Sequence, residues 1–381
     1  MNYRVLIVVF VIIVLGVQTS HLSDAEYVHS NITVKPEARM GHAMVFDPHN
    51  DVAVIFGGAS MEGEHHLLGG TWIYSYTENS WTELVLTPSP PSDDNTVMVY
   101  CNETNEIIFY GGDADPSTWS FDCENQAWSR VITSASPGFR DSHAMAYDPQ
   151  ENVVILFGGL DGEGGAGTSD LWKFDCSSRE WTELFPETRP LARYGHVMVY
   201  DESINRIVLT CGNAYPQGYQ DDTWICTTST NNWTELTPIG TPDALKWASM
   251  TYDSVNQKCI LFGGVIGADA VNYTWIYDAT LNTWSRRYPI DAPADRFNTG
   301  LAFDSNNDVA ILFGGCSDGL NAFDDTWAYS YESNVWTNME GDSDTTTTGL
   351  ALDPMLPALA LSIGVAVIIV TLILRRRTRD H

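Results

Sequence analysis

The side chains of this 381-residue chain best placed to do chemistry sit in six short segments. The first carries Glu62, Glu64, His65 and His66, and the second Asp113 and Asp115. The third, from Asp161 to Asp170, is glycine-rich. The fourth has Tyr215, Tyr219 and Asp221, the fifth Asp269 and Tyr273, and the sixth Asp318, Phe323 and Asp324. Tyr and Phe beside carboxylates suit a carbohydrate or a basic peptide. The candidate ligand-binding residues are therefore His65, His66, Asp113, Asp115, Tyr215, Tyr219, Asp269, Tyr273, Asp318 and Phe323. Adjacent histidines lack a fixed i,i+4 face and have no neighbouring cysteine pair, so neither a metal nor a cofactor is expected. Asp-rich stretches such as Asp47–Asp51 lack EF-hand spacing and read as turn formers. No nucleophile elbow, phosphate-binding glycine loop or catalytic carboxylate pair is present, and no catalytic residue is assigned.

Those segments are held by a sixfold internal repeat. Twelve of the 13 tryptophans form pairs nine residues apart: Trp72/Trp81, Trp119/Trp128, Trp172/Trp181, Trp224/Trp233, Trp275/Trp284 and Trp327/Trp336. A glycine pair precedes each of them, with Cys211-Gly212 as the one variant. An alternating stretch such as Gly41–Asp47 comes earlier still. Alternation, β-branched runs and Asn/Asp/Gly punctuation predict four strands, A to D, per unit.

The glycine pair after strand B and the two spaced aromatics opening strands C and D resemble the kelch repeat, over residues 37–340. The resemblance implies an all-β fold, a six-bladed β-propeller of four-stranded antiparallel blades, in which the tryptophans are scaffold. A more distant similarity, to the central domain of galactose oxidase, would require a copper set of tyrosines and histidines that cannot be placed here. Ring closure has two candidates, the segment Tyr27–Ser30 and the strand at Trp336.

Aligned with one another, the six units keep fixed spacing everywhere except between the glycine pair and the first tryptophan, where 13, 6, 12, 11, 10 and 11 residues intervene. Strand direction alternates, so these B–C loops share one end of the ring with the D–A connections. Rigid framework and variable loops on one face suit binding. Arg39, Arg140, Arg193 and Arg296 share one repeat position, where unit 2 has Asp93 and unit 5 Leu245. His42, His143 and His196 share another. Both sets read as structural, the arginines pairing with loop carboxylates.

The ends set the expected location. Residues 1–25 read as a signal peptide, with an apolar run from Val5 to Val17, and Ala25 or Ser20 as the cleavage site. Residues 26–36 form an N-terminal segment, 341–353 a stalk containing Thr345–Thr348, 354–374 a transmembrane helix and 375–381 a basic cytoplasmic tail. A single-pass type I cell-membrane protein is expected, its propeller held within about 45 Å of the bilayer. With 19 Lys+Arg against 49 Asp+Glu and a net charge of −30, nucleic acid is excluded as a partner. Export makes the sequons at Asn31, Asn102, Asn232 and Asn272 usable. It also permits disulfides, for which Cys101–Cys123 and Cys211–Cys226 are the expected pairs. The expected role is recognition or adhesion at the cell surface, with a protein or glycan ligand on the B–C loop face. The alternative is an extracellular propeller enzyme acting on carbohydrate.

Overall fold

Apolar runs such as Val52–Phe56, Val153–Phe157 and Val309–Phe313 are buried along their whole length, as strands covered on both faces must be. The outer strands expose alternate residues. The computed structural model describes residues 35–61, 65–162 and 167–340. In it these segments form six antiparallel sheets, each with strand order A-B-C-D. The A strands are Ala43–Asp47, Val97–Cys101, Ala144–Asp148, Tyr194–Asp201, Ser249–Asp253 and Gly300–Asp304. They stand side by side around a central channel, the sixth beside the first. The D strands, such as Ser80–Leu84 and Ala127–Val131, form the outer rim. The expected signal, N-terminal segment before residue 35, stalk, span, tail and Asn31 lie outside the described residues, as do Glu62, Glu64 and Tyr27–Ser30.

Three sets of hydrogen bonds tie neighbouring blades, the first and third at all six junctions and the second at five. In the first, the amide of the second glycine donates to the carbonyl at the arginine position of the following blade. These bonds run Gly58 to Asp93, Gly112 to Arg140, Gly159 to Arg193, Gly212 to Leu245, Gly264 to Arg296 and Gly315 to Arg39, all 2.7–2.9 Å. This approach explains the glycine pair. Gly57 has φ 74°, and a Cβ there would sit 2.6 Å from the Asp93 carbonyl oxygen. In blade 4 the equivalent residue is Cys211, which accepts φ 67°.

The second set joins strand D to the preceding blade. The indole N–H of Trp128 donates to Thr71 Oγ1 at 2.8 Å, Trp181 to Thr118 at 2.7 Å, Trp284 to Thr223 at 3.1 Å and Trp336 to Thr274 at 3.0 Å. Trp81 donates to Thr326 at 3.0 Å and so closes blade 1 onto blade 6. Blade 6 takes its outer strand, Val335–Asn338, from the end of the repeat region. The A–B turns use their aspartates internally, Asp47 Oδ1 accepting from the His49 amide at 2.9 Å and Asp304 Oδ1 from Asn306 at 3.0 Å.

All seven cysteines are free and buried, and the expected pairings are not the ones that meet. Cys101 packs on the blade 3 side of blade 2, whereas Cys123 packs on the blade 1 side. Cys211 and Cys226 are divided between opposite faces of blade 4 in the same way. Cys101 is in register with Glu106 and Glu106 with Asp122, so Cys123, one residue on, faces the other side, while Cys211 lies four residues beyond Ile207, the partner of Cys226, at a φ of 67° that breaks strand alternation. Cys101 instead meets Cys176 of the next blade, with 3.4 Å between sulfurs. Burial pushes the Cys101 thiol well above its ordinary range, with the hydrogen bond to Cys176 adding to the rise. Burial takes Cys211 and Cys226 up to about 12. Iodoacetamide at pH 8 is therefore expected to leave the folded reduced chain unlabelled and to modify all seven thiols after denaturation. Rapid labelling of the native protein would contradict this packing.

Candidate functional site

The B–C loops and the channel mouth they surround lie at the end of the ring where A strands begin. Here the third set of inter-blade bonds forms a closed belt. Gly41, Asn95, Ser142, Gly195, Trp247 and Asn298 occupy one repeat position, all with φ between 51° and 65°. Each amide donates to the carbonyl of the same position in the preceding blade, from Asn95 to Gly41 (2.7 Å) round to Asn298 to Trp247 (3.0 Å) and finally Gly41 to Asn298 (2.9 Å). Six peptide units spaced about 5 Å apart enclose an opening of about 10 Å between opposite backbones. Asn298 Nδ2 also donates to Asn95 Oδ1 at 3.2 Å, spanning the position where Gly41 has no side chain.

Below the belt lies a cavity of about 180 Å³, into which His42, Thr96, His143 and His196 also project part of their surface. Burial, reinforced by the neighbouring arginine, lowers His42 and His196 to about 3 and holds His143 well below its usual range, so these imidazoles are neutral. Met44, Met98, Met145, Met198, Met250 and Leu301 line both this cavity and a second one of about 450 Å³ opening on the opposite face. They form the waist of the channel.

The residues immediately before the belt make the rim, and they divide it. Blades 2 and 3 contribute Asp94 and Asp141, with Asp93 and Asp113 close by. Burial pushes Asp141 up to about 6, a hydrogen bond from Ser142 works against the rise, and the charges of Asp113, Asp94 and Asp93 add to it. Asp94 is raised by burial and by Asp93, while His65 works in the other direction. Blades 4 to 6 contribute Tyr194, Lys246 and Phe297. Trp247, the tryptophan outside the six pairs, stacks on Phe297 at 5.6 Å and tilts against Tyr194 at 6.4 Å. The Lys246 ammonium lies 3.8 Å from the Trp247 ring centroid, 5.1 Å from that of Tyr219 and 5.9 Å from that of Tyr194.

The ten candidates separate on this geometry. Tyr219 joins the aromatic side of the mouth, its hydroxyl donating to Gly267 O at 3.0 Å. His65 reaches the acidic side, 4.0 Å from Asp94. His66 pairs with Glu37 at 3.3 Å. Asp113, Tyr215 and Asp269 are exposed on loop tips. Asp115 and Asp318 are engaged in their own loops, accepting from the amides of Ser117 (3.1 Å) and Leu320 (2.9 Å). Tyr273 lies under Arg286, and Phe323 lies 3.9 Å from the Arg296 guanidinium. The rim residues Asp94, Asp141, Tyr194, Lys246, Trp247 and Phe297 were missed. Their signal was the same as that of the loops, namely departure from a shared repeat position. Among the described residues no three His, Cys, Asp or Glu side chains converge closely enough to hold a metal ion. Of the sequons, Asn102 and Asn232 are exposed, whereas Asn272 Nδ2 donates to Pro293 O at 3.2 Å.

The arginines form buried latches. Arg140, Arg193 and Arg296 each grip a B–C loop aspartate with both terminal nitrogens, these being Asp170, Asp222 and Asp325. Each aspartate also accepts the first indole N–H of its blade, from Trp172, Trp224 or Trp327, at 2.7–2.8 Å. Loops of unequal length thus leave the scaffold from a fixed base.

Comparison with known proteins gives a family match and one partial similarity. The family described as the KLHDC2/KLHL20/DRC7 Kelch-repeats domain matches residues 12–187 and 149–350. Mei4-dependent protein 6 of Schizosaccharomyces pombe (strain 972 / ATCC 24843) is 27% identical over 159 residues, covering 38% of this chain and 22% of that protein. With six blades, five glycine-pair junctions and the Cys211-Gly212 variant, and a family match over most of its length, the chain belongs to the kelch-repeat proteins.

Proposed function

We propose that this kelch propeller is a surface-displayed recognition module that docks a protein partner on its B–C loop face. The observation that supports the reading most is the contrast between junctions and loops. The glycine and belt bonds recur at all six junctions and the indole–threonine bond at five of them, while loop length and rim chemistry differ from blade to blade on one end only. Display outside the cytoplasm rests on the apolar segments 5–17 and 355–374, the second of which is followed by Arg375, Arg376 and Arg377.

A direct test compares the full-length chain with a variant carrying Asp113→Asn, Tyr215→Ser and Asp269→Asn, three exposed loop-tip changes. Both would be cross-linked on intact cells with a membrane-impermeant reagent. The expected result is that proteins captured by the wild type fall about tenfold or more with the variant, with melting unchanged. Equal capture by both, or cross-linking only after the cells are broken, would overturn the reading.

A further inference from the structure

The two halves of the channel mouth are chemically opposed in a way that fits one kind of side chain. A lysine or arginine has an apolar stem and a cationic head. The aromatic side offers ring faces of Trp247, Tyr194 and Tyr219, which attract cations through their negative π faces. The acidic side offers Asp94 and Asp141, in a group of carboxylates crowded enough that their own charges repel. With opposite backbones of the belt about 10 Å apart, a single extended basic side chain can touch both halves.

Two further observations bear on a ligand. The aromatic side already holds an ammonium, that of Lys246, at 3.8 Å from the Trp247 centroid. Just inside the belt, Thr96 is 6% and His143 4% exposed, and the Thr96 hydroxyl and both His143 ring nitrogens have no protein hydrogen-bond partner. Both residues line the cavity under the mouth.

We propose that the axial mouth on the B–C loop face is a pocket for a basic side chain of the protein partner, and that Lys246 is an intramolecular stand-in which the incoming cation displaces from the Trp247 face. The assignment deepens the loop-face reading and rests on it. The partner's cation lies with its stem along Trp247 and Tyr194 and its head toward Asp94 and Asp141. The strongly acidic chain draws it there over longer distances. Displacement gives the pocket an unusual signature, because removing one of the protein's own residues improves binding.

The probes are three end-capped pentapeptides of sequence Gly-Gly-X-Gly-Gly, with X lysine, Nε-acetyllysine or norleucine, titrated into the full-length chain by ligand-observed NMR. The lysine peptide is expected to bind at least tenfold more tightly than the other two, and to weaken as salt rises. Asp94→Asn with Asp141→Asn should reduce lysine-peptide affinity about tenfold, and Trp247→Leu by a similar factor. Lys246→Met should raise it several-fold. Melting curves confirm that each variant folds; for any that does not, Tyr194→Leu replaces Trp247→Leu and Asp141→Asn alone replaces the double change.

Equal binding of the lysine and norleucine peptides, or an unchanged or weaker affinity in Lys246→Met, would overturn the proposal. The cell cross-linking described above separates the two readings. Partner capture that is lost with the loop-tip variant but indifferent to the Asp94, Asp141 and Trp247 changes sinks the basic pocket alone, whereas capture indifferent to both sets sinks the loop-face reading as well.

Discussion

Replacing Trp336 with alanine is expected to destabilise the propeller by about 3–5 kcal/mol, a large part of the roughly 5–15 kcal/mol typical of a folded domain. Trp336 is 1% exposed, packs on Phe262 of blade 5 at 4.9 Å and donates its indole N–H to Thr274. Truncation removes the contact area and leaves the Thr274 hydroxyl without its donor. It does so in the last strand of the ring. Equilibrium urea unfolding measures the loss, and a change below about 1 kcal/mol would show that this indole does not hold blades 5 and 6 together. A conservative series sharpens the test. Five of the six strand-D tryptophans meet a threonine, but Trp233 faces Leu171, and its buried Nε1 has no partner. Trp233→Phe should therefore cost about 1 kcal/mol less than Trp336→Phe.

The second large effect concerns the buried latches. Arg296 is 1% exposed and bonds Asp325 at 2.5 and 2.9 Å, as well as the carbonyls of Gly314 and Ala294 at 3.0 Å. Arg296→Ala strands the Asp325 carboxylate and should cost about 3–5 kcal/mol. Blade 5 shows an alternative solution at the same two positions, with Leu245 fully buried and Tyr273 packed against its cluster. The double variant Arg296→Leu with Asp325→Tyr copies that pair and should recover most of the loss, because replacing a buried ion pair by apolar groups is often neutral. If the double variant is as unstable as Arg296→Ala, the latch has a role that packing cannot replace.

The acid limb follows from the same pair. Burial by itself would raise Asp325, but the hydrogen bonds and charge of Arg296 and the Trp327 indole outweigh it and hold the carboxyl below its ordinary value. A depressed folded value gives stability that is complete above the unfolded carboxylate range near pH 4 and is lost as pH falls through the folded value. The double variant should lack this component, so its stability should fall less steeply below about pH 4.

The sequence by itself determined the repeat and what the repeat entails. Glycine pairs, tryptophans nine residues apart and strand-length alternation are local and sixfold, so the blades, their strand order and the loop face were legible from Gly41 to Trp336. Asp93 and Leu245 in the arginine position were visible as departures too. What sequence could not supply was which side of a sheet a residue faces and what waits there from another blade. The cysteines show this most plainly, since Cys101 lies beside Cys176 of the next blade while Cys123 packs on the other side of its own. The belt from Gly41 to Asn298 and the rim carrying Asp94, Asp141 and Trp247 depend on the ring closing. Only closure brings residues some 50 positions apart in the chain within hydrogen-bond distance, and only then do an unpaired tryptophan, a lysine and two aspartates become neighbours around one opening.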